Sequence, residues 1–295
     1  MPRFNAGFGT LYLSVVLLSL NGLFARSIAL DSTSITQLRS VIAGLALAAL
    51  IRLQRRSLGI PRGKRALVYG LGILLGLHWI TFFKAMQVSS VAVGILALFT
   101  HPVFTVLLEP IFHRKTPKLR DLIAAAIVIV GIAIMVSSQL SGAQHNADFQ
   151  QLSVAEIRVG VFWGVLSAVL FAARNTAQKY WLHQIPSSNI MLHQVIIIAL
   201  MLAVFCDWQR ALNLPGEQWL LLALLGVFCT AGAHTLVSAS LKHLAAKTVA
   251  LISCLQPLLA ALFAWLVLAE APSLQVALGG AIIVGVAIYE SRAKV

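Results

Sequence analysis

The chain has 295 residues, of which 59% are hydrophobic and only 11% charged, against roughly 25% charged in a soluble domain. Apolar residues run all round segment after segment instead of forming one stripe, which excludes a water-soluble fold and makes lipid the solvent. The formal charge of +13 is not a nucleic-acid footprint, because the basic residues gather in breaks between apolar segments, as in loops kept in the cytoplasm.

A spanning helix takes about 20 mostly apolar residues. Ten are predicted, over 8–28, 34–53, 66–86, 90–112, 121–138, 158–182, 188–207, 219–241, 247–268 and 273–290. The breaks carry ordinary punctuation, such as RLQRRSLGIPRGKR (52–65), HRKTPKLRD (113–121) and EAPS (270–273). One long polar connection, 139–157, divides the chain into two blocks of five helices, 8–138 and 158–290. The start, Met-Pro-Arg, runs into an apolar stretch with no small-residue cleavage site, so the first helix is expected to stay. Cys206, Cys229 and Cys254 have no metal-ligand spacing and read as small hydrophobes.

With the N-terminus inside, sixteen Lys and Arg fall in inside loops and tails and two, Arg158 and Arg210, outside. Arg26, Arg39, Lys84 and Arg174 lie within helices. The acids lean the other way, with Asp31, Asp148, Glu156, Asp207, Glu217 and Glu270 outside. This bias sets both termini in the cytoplasm.

The two blocks resemble each other. VAVGILALFTHPVFTVLLEPIFHRKTP (91–117) aligns with AKTVALISCLQPLLAALFAWLVLAEAP (246–272) at an offset of 155 residues, which brings Pro102 onto Pro257 and Pro117 onto Pro272. Five helices is an odd number, so the second copy enters the membrane inverted. The loop charges agree: Lys115 aligns with Glu270. The expected fold is therefore an all-α membrane protein of ten transmembrane helices in two inverted five-helix repeats.

This pattern resembles the EamA repeat of the drug/metabolite transporter superfamily, on QPLLAALFAWLVLAEAP (256–272) above all. HPVFTVLLEPIFHRKTP departs from it at Lys115, where the family usually has glutamate, and Asn21-Gly22 stands where members often have Trp-Gly. Arg39 falls where the family commonly has a second-helix arginine. The resemblance covers nearly the whole chain. It implies a bacterial inner-membrane protein that exports or exchanges small metabolites, amino acids included.

Independently of any family, inverted repeats place a substrate site near the bilayer midplane. A charge there costs at least about 2.5–3.5 kcal/mol, so polar residues within the spans are the site candidates. His101, Thr105 and Glu109 are spaced i, i+4, i+8 and share one helix face. His101 either binds substrate or bonds a neighbouring carbonyl. Glu109 either carries a coupling proton or snorkels to His113 or Arg114. Pro102 and Pro257 each remove a helical hydrogen bond beside a polar residue, His101 or Gln256, which makes a matched pair of kinks for a central site. Arg174, Asn175 and Gln178 share one side of the sixth helix. Arg174 is a candidate contact for a carboxylate or phosphate, the alternative being a pair with Glu109.

Asn21, Arg39 and Trp79 complete the substrate-binding candidates. His78, His193 and His234 are weighed against satisfied interhelical hydrogen bonds. Arg26, Lys84, Trp163 and Trp219 read as interface anchors. Gly72 with Gly76, and Gly279, Gly280 and Gly285, read as helix-packing faces.

The sequence has no GxxxxGK[ST], HExxH or C-x-x-C signature, so no ATPase, metal site or cofactor is expected. A gradient-driven exporter of a small polar metabolite is the leading reading. Its partners are the solute and the bilayer, with protons as candidate coupling ion and a homodimer as candidate assembly. A membrane enzyme would need His101 and Glu109 to cooperate across about 12 Å of helix axis. A non-transporting sensor would use the loop 139–157.

Overall fold

The computed structural model describes residues 6–21, 28–89, 91–112, 114, 116–140, 153–268 and 273–292. Gly22, Arg26, His113, Lys115, Glu270, Pro272 and most of the long polar connection lie outside the described residues.

Every regular element among the described residues is helical. The helices are α1 (Ala6–Ser19), α2 (Ser32–Leu53), α3 (Arg65–Val88), α4 (Val91–Leu98), α5 (His101–Phe112), α6 (Leu119–Leu140), α7 (Val154–Leu182), α8 (Ser187–Leu202), α9 (Trp208–Leu212), α10 (Gly216–Leu224), α11 (Ala233–Ser240), α12 (Ala246–Ser253), α13 (Gln256–Leu268) and α14 (Leu274–Arg292). A π-helical stretch, Leu225–Gly232, joins α10 to α11. Seven of the resulting helical segments are long and apolar enough to cross a membrane: 32–53, 62–88, 93–112, 155–182, 187–205, 216–240 and 246–263. Two apolar helices are shorter, Ala6–Ser19 and Leu274–Tyr289. Each of the ten predicted segments contains helix.

Local chemistry sets several starts. Asp31 caps α2, its carboxylate accepting from the amides of Thr33 and Ser34. Ser153 and Glu156 form a reciprocal capping box at α7, the Glu156 side chain accepting from the Ser153 amide at 2.8 Å and the Ser153 hydroxyl accepting from the Glu156 amide at 3.2 Å.

The breaks in the fourth and ninth predicted segments are the most informative local feature. α4 ends at Leu98, a turn at Phe99 and Thr100 intervenes, and α5 opens on His101-Pro102. α12 ends at Ser253, a turn at Cys254 and Leu255 intervenes, and α13 opens on Gln256-Pro257. All four helix boundaries are related by the same 155-residue offset. A proline at the second helical position lacks the amide that would bond one turn back, so the helix restarts there. Pro110 lies inside α5 without ending it.

Contacts divide the chain into two compact units, 1–76 with 177–244 and 77–176 with 245–295. The units cut across the sequence repeat, each taking part of both halves. In the first, α2 packs on α8 and α1 on α11, with cores around Leu38, Leu222, Leu225 and Cys229 and around Val68, Leu71, Leu182 and Ile190. In the second, α6 runs against α14 and α12 against α5, around Val106, Val128, Ile132, Leu251 and Ile283.

Glycine makes the α6–α14 approach possible. A Cβ on Gly279 would lie 2.2 Å from the Gly131 carbonyl oxygen. Gly72 and Gly76 face Ile197 and Met201 of α8 with equally little room, and Gly280 faces Leu258. Gly285 departs from its expected packing role: a Cβ there would meet nothing within 4 Å.

Burial is inverted relative to a soluble protein. Arg39, His78, His101, Arg174 and Gln194 are buried, while Leu45, Leu53, Phe162, Leu200 and Leu266 are exposed. Such an arrangement suits hydrocarbon outside and polar packing inside. The chain is an integral membrane protein.

Candidate functional site

The second unit assembles a polar cluster around Phe171 on α7. His78 of α3 stacks on its ring at 4.5 Å between centroids, and His101 of α5 meets it edge-on at 5.1 Å. The Ser167 hydroxyl, one turn before Phe171, donates to the His78 carbonyl oxygen at 2.9 Å and lies 2.7 Å from His78 Nδ1. A hydroxyl has one proton to give, so His78 Nδ1 carries the hydrogen of that second bond. His78 is thereby held in one tautomer.

His101 is different. It is 2% exposed, and its Nδ1 is buried without a hydrogen-bond partner among the described residues. Leaving such an atom unpaired costs about 1–3 kcal/mol. The alternative of a carbonyl partner for that nitrogen is not what the structure shows. His101 opens α5 directly after the Phe99–Thr100 turn, and its own carbonyl accepts the Thr105 hydroxyl at 2.9 Å. Thr105 thus turns its hydrogen back into the helix.

Ser167, Phe171 and Arg174 stand at i, i+4 and i+7, one stripe of α7. Arg174 is fully buried and donates to Asn175 Oδ1 at 2.7 Å. Trp79, next to His78, is 4% exposed. Gln256 is half-buried at the start of α13, the counterpart of His101 across the 155-residue offset.

Glu109 is occupied with structure. Its two carboxylate oxygens accept from the backbone amides of Ala246 at 2.8 Å and Lys247 at 2.9 Å, the first turn of α12. A carboxylate there meets both the unbonded amides and the positive end of the helix dipole. The Lys247 ammonium in turn bonds Asp121 of α6. One cluster so ties α5, α6 and α12 together. An acid–base pair of His101 with Glu109 does not assemble, because Glu109 lies two turns along α5 and faces α12.

The remaining candidates belong to the first unit. Arg39 is buried and donates to Asn21 Oδ1 at 3.5 Å. Gln178 accepts from Gln194 at 3.4 Å. His193 bonds the Leu58 carbonyl and lies 3.1 Å from the Tyr69 hydroxyl, the satisfied interhelical arrangement. Lys84 is exposed. Sequence reasoning passed over Ser167 and Phe171. Their signal was the spacing to Arg174. No group of three or more His, Cys, Asp or Glu among the described residues could hold a metal ion.

Comparison with known proteins rests on the chain's two halves. The EamA-like transporter family matches over residues 5–137 and again over 158–289. The chain belongs to that family. EamA-like transporters sit within the drug/metabolite transporter superfamily. A protein of Archaeoglobus fulgidus described as an uncharacterized transporter is 25% identical over 282 residues, 94% of this chain and 93% of that one. The uncharacterized transporter YxxF of Bacillus subtilis is 25% identical over 189 residues, and the match spans 64% of this chain and 58% of that protein's length. A solved crystal structure superposes with a TM-score of 0.77 at 20% identity, covering 95% of this chain and 94% of its own, which establishes a shared fold.

Proposed function

We propose that the protein is a gradient-driven transporter that exports a small polar metabolite, with amino acids the leading class, by alternating access. The carrying observation is the buried, unpartnered Nδ1 of His101 at the break before α5. A solute group that donates to or accepts from this nitrogen would remove a standing desolvation penalty, giving the site affinity without new packing. Phe171 meets its ring edge-on, Trp79, Thr105 and Asn175 are further candidate contacts, and Arg174 suits an anionic group on the solute. Gln256, at the equivalent break, is the second contact. Asn21, Arg39 and Gln178 remain candidates from the first unit.

The repeat supports the mechanism. Matched breaks at Phe99–Thr100 and Cys254–Leu255 are what two inverted five-helix repeats, 8–138 and 158–290, would place near the midplane. Protons are the coupling ion in this reading, acting at Glu109. Protonation removes an acceptor from the first turn of α12, the half-helix that leads to Gln256.

Orientation follows from charge. The first unit gathers Arg52, Arg55, Arg56, Arg62, Lys64, Arg65 and Lys242 where α2 ends and α8 begins. Asp31, Asp207 and Glu217 gather where α2 begins and α8 ends, joined there by the Asp207 amide to Ser34 and the Ala29 amide to Gln218. The basic end is cytoplasmic, in a bacterial inner membrane.

The test is efflux of a metabolite panel from cells with and without the protein, repeated with the proton gradient collapsed, then with purified protein in liposomes. His101→Ala should abolish movement of the identified solute with folded protein retained. Transport unchanged by that substitution would remove the site.

A further inference from the structure

A concave site lies at the basic end of the first unit, away from the His101 cluster. It is a cavity of about 660 Å³ walled by Arg56, Lys64, Tyr180, Trp181, His183 and Asn189, among others. No carboxylate lines it among the described residues.

The wall is built. After α2 the chain turns through Arg55 at φ 54°, a left-handed conformation that costs a side-chain-bearing residue energy. Asn189, 2% exposed, holds the following loop by donating to the carbonyls of Ser57 at 2.8 Å and Gly59 at 3.1 Å. The Arg56 guanidinium donates to Gln54, Asn189 and Ser188. All three partners are neutral, so its charge is oriented without being compensated, and a guanidinium has five N–H groups to offer. Burial and then the nearby Arg56 hold the Lys242 ammonium below the usual lysine range.

The other wall is amphipathic. Trp181 is the next-to-last residue of α7, where an apolar span ends, and is 49% exposed. Leu53, which closes α2 just before the Arg56 loop, is 82% exposed. Tryptophan at that level marks the membrane–water boundary. The cavity thus joins cationic donors to lipid-facing apolar surface, the two ends of an amphiphile.

The geometry points to a binding site for an anionic phospholipid, its head-group phosphate held by Arg56 and Lys64 and its glycerol region lying against Trp181. A basic pocket at the ends of membrane helices, open to the bilayer, is suited to such a ligand. The inference rests on the proposed orientation only in assigning the cytoplasmic leaflet.

The test titrates full-length protein in neutral detergent with phosphatidylglycerol, phosphatidylcholine or inorganic phosphate, reading occupancy by native mass spectrometry. Phosphatidylglycerol should bind in preference to the other two. Lys64→Gln should weaken it about fivefold, and with Arg56→Gln added about 30-fold, at about 1 kcal/mol per cation near a lipid surface. Lys64 makes no hydrogen bond that the fold needs, so its variant keeps the proposal testable if Arg56→Gln misfolds. Arg52→Gln with Arg62→Gln, which removes two charges outside the cavity wall, should leave binding within about twofold.

Equal binding of phosphatidylcholine, or equal loss in the Arg52/Arg62 variant, would overturn the site. Competition by millimolar inorganic phosphate would make it a soluble-anion site and overturn the lipid assignment. Solute flux measured separately in phosphatidylcholine liposomes reports on the transporter reading alone, so the two can fail independently.

Discussion

Glu109 and Lys247 are joined through a backbone amide, not through their charges. Glu109 Oε2 accepts the Lys247 N–H at 2.9 Å while the Lys247 ammonium is turned to Asp121. A carboxylate that looks like an ion-pair or proton-relay group in the sequence thus serves as an end-cap for a helix in the other half of the chain.

Replacing Glu109 by alanine should strip two amides of their acceptor. Each buried unsatisfied amide costs about 1–3 kcal/mol, so the detergent-solubilised protein should unfold several degrees lower. Glu109→Gln keeps one acceptor oxygen and should lose less. If Glu109 also couples protons, the glutamine variant should still exchange solute but lose its dependence on the proton gradient. Retention of that dependence would reduce Glu109 to its structural role.

His101→Leu separates stability from function. It removes a buried, unpartnered ring nitrogen and keeps an apolar side chain of similar size, a change that is near neutral or stabilising when no hydrogen bond is lost. Thermal unfolding should therefore be unchanged or raised, while solute flux is lost. A large fall in stability would show that the imidazole is held by the fold.

Two glycines of α14 should answer alanine substitution oppositely. At Gly279 the new methyl would meet the Gly131 carbonyl at 2.2 Å, backbone against backbone, and α6 and α14 must separate. Overpacking of this kind costs about 1–3 kcal/mol. At Gly285 the methyl meets open space, and the helix gains up to about 1 kcal/mol from better propensity. Paired melting curves of the two variants check both signs.

Orientation is read by labelling. The native cysteines, Cys206, Cys229 and Cys254, are buried, so an impermeant maleimide should react only with introduced ones. Ser57→Cys should label from the cytoplasmic side only and Asn213→Cys from the outside only. The reverse pattern would invert the topology.

How much was legible in the letters varies by kind of contact. The break before His101-Pro102 showed because proline removes a specific amide, and its 155-residue echo at Gln256-Pro257 showed because the same letter recurs. Arg39 and Asn21 were nominated separately, and the fold brings them together. Phe171 could not be singled out: in an apolar helix a phenylalanine reads as lipid-facing or core, and only the fold sets it between His78 and His101. The partner of Glu109 was invisible for a different reason, since a backbone amide is common to nearly every residue. The compact units were hidden too. The polar connection that divides the sequence lies at 139–157, whereas two of the three boundaries between units fall inside α3 and α7, at positions with no compositional mark, and the third falls between α11 and α12.

The π-helical stretch Leu225–Gly232 lies against the Arg39 region of α2, where a Cβ on Gly226 would come within 2.7 Å of Ile42 and 3.2 Å of the Arg39 carbonyl. The Thr230 hydroxyl bonds back five residues to Leu225. A wide turn stores a surplus residue locally, while the helix on either side keeps its faces. Such a stretch is where a lineage can lose or gain one codon without re-aiming Leu222 on one side or Val237 on the other. Length variation among relatives of this chain should therefore be tolerated at this position within the span, and a relative one residue shorter there should carry a side chain where Gly226 now has none.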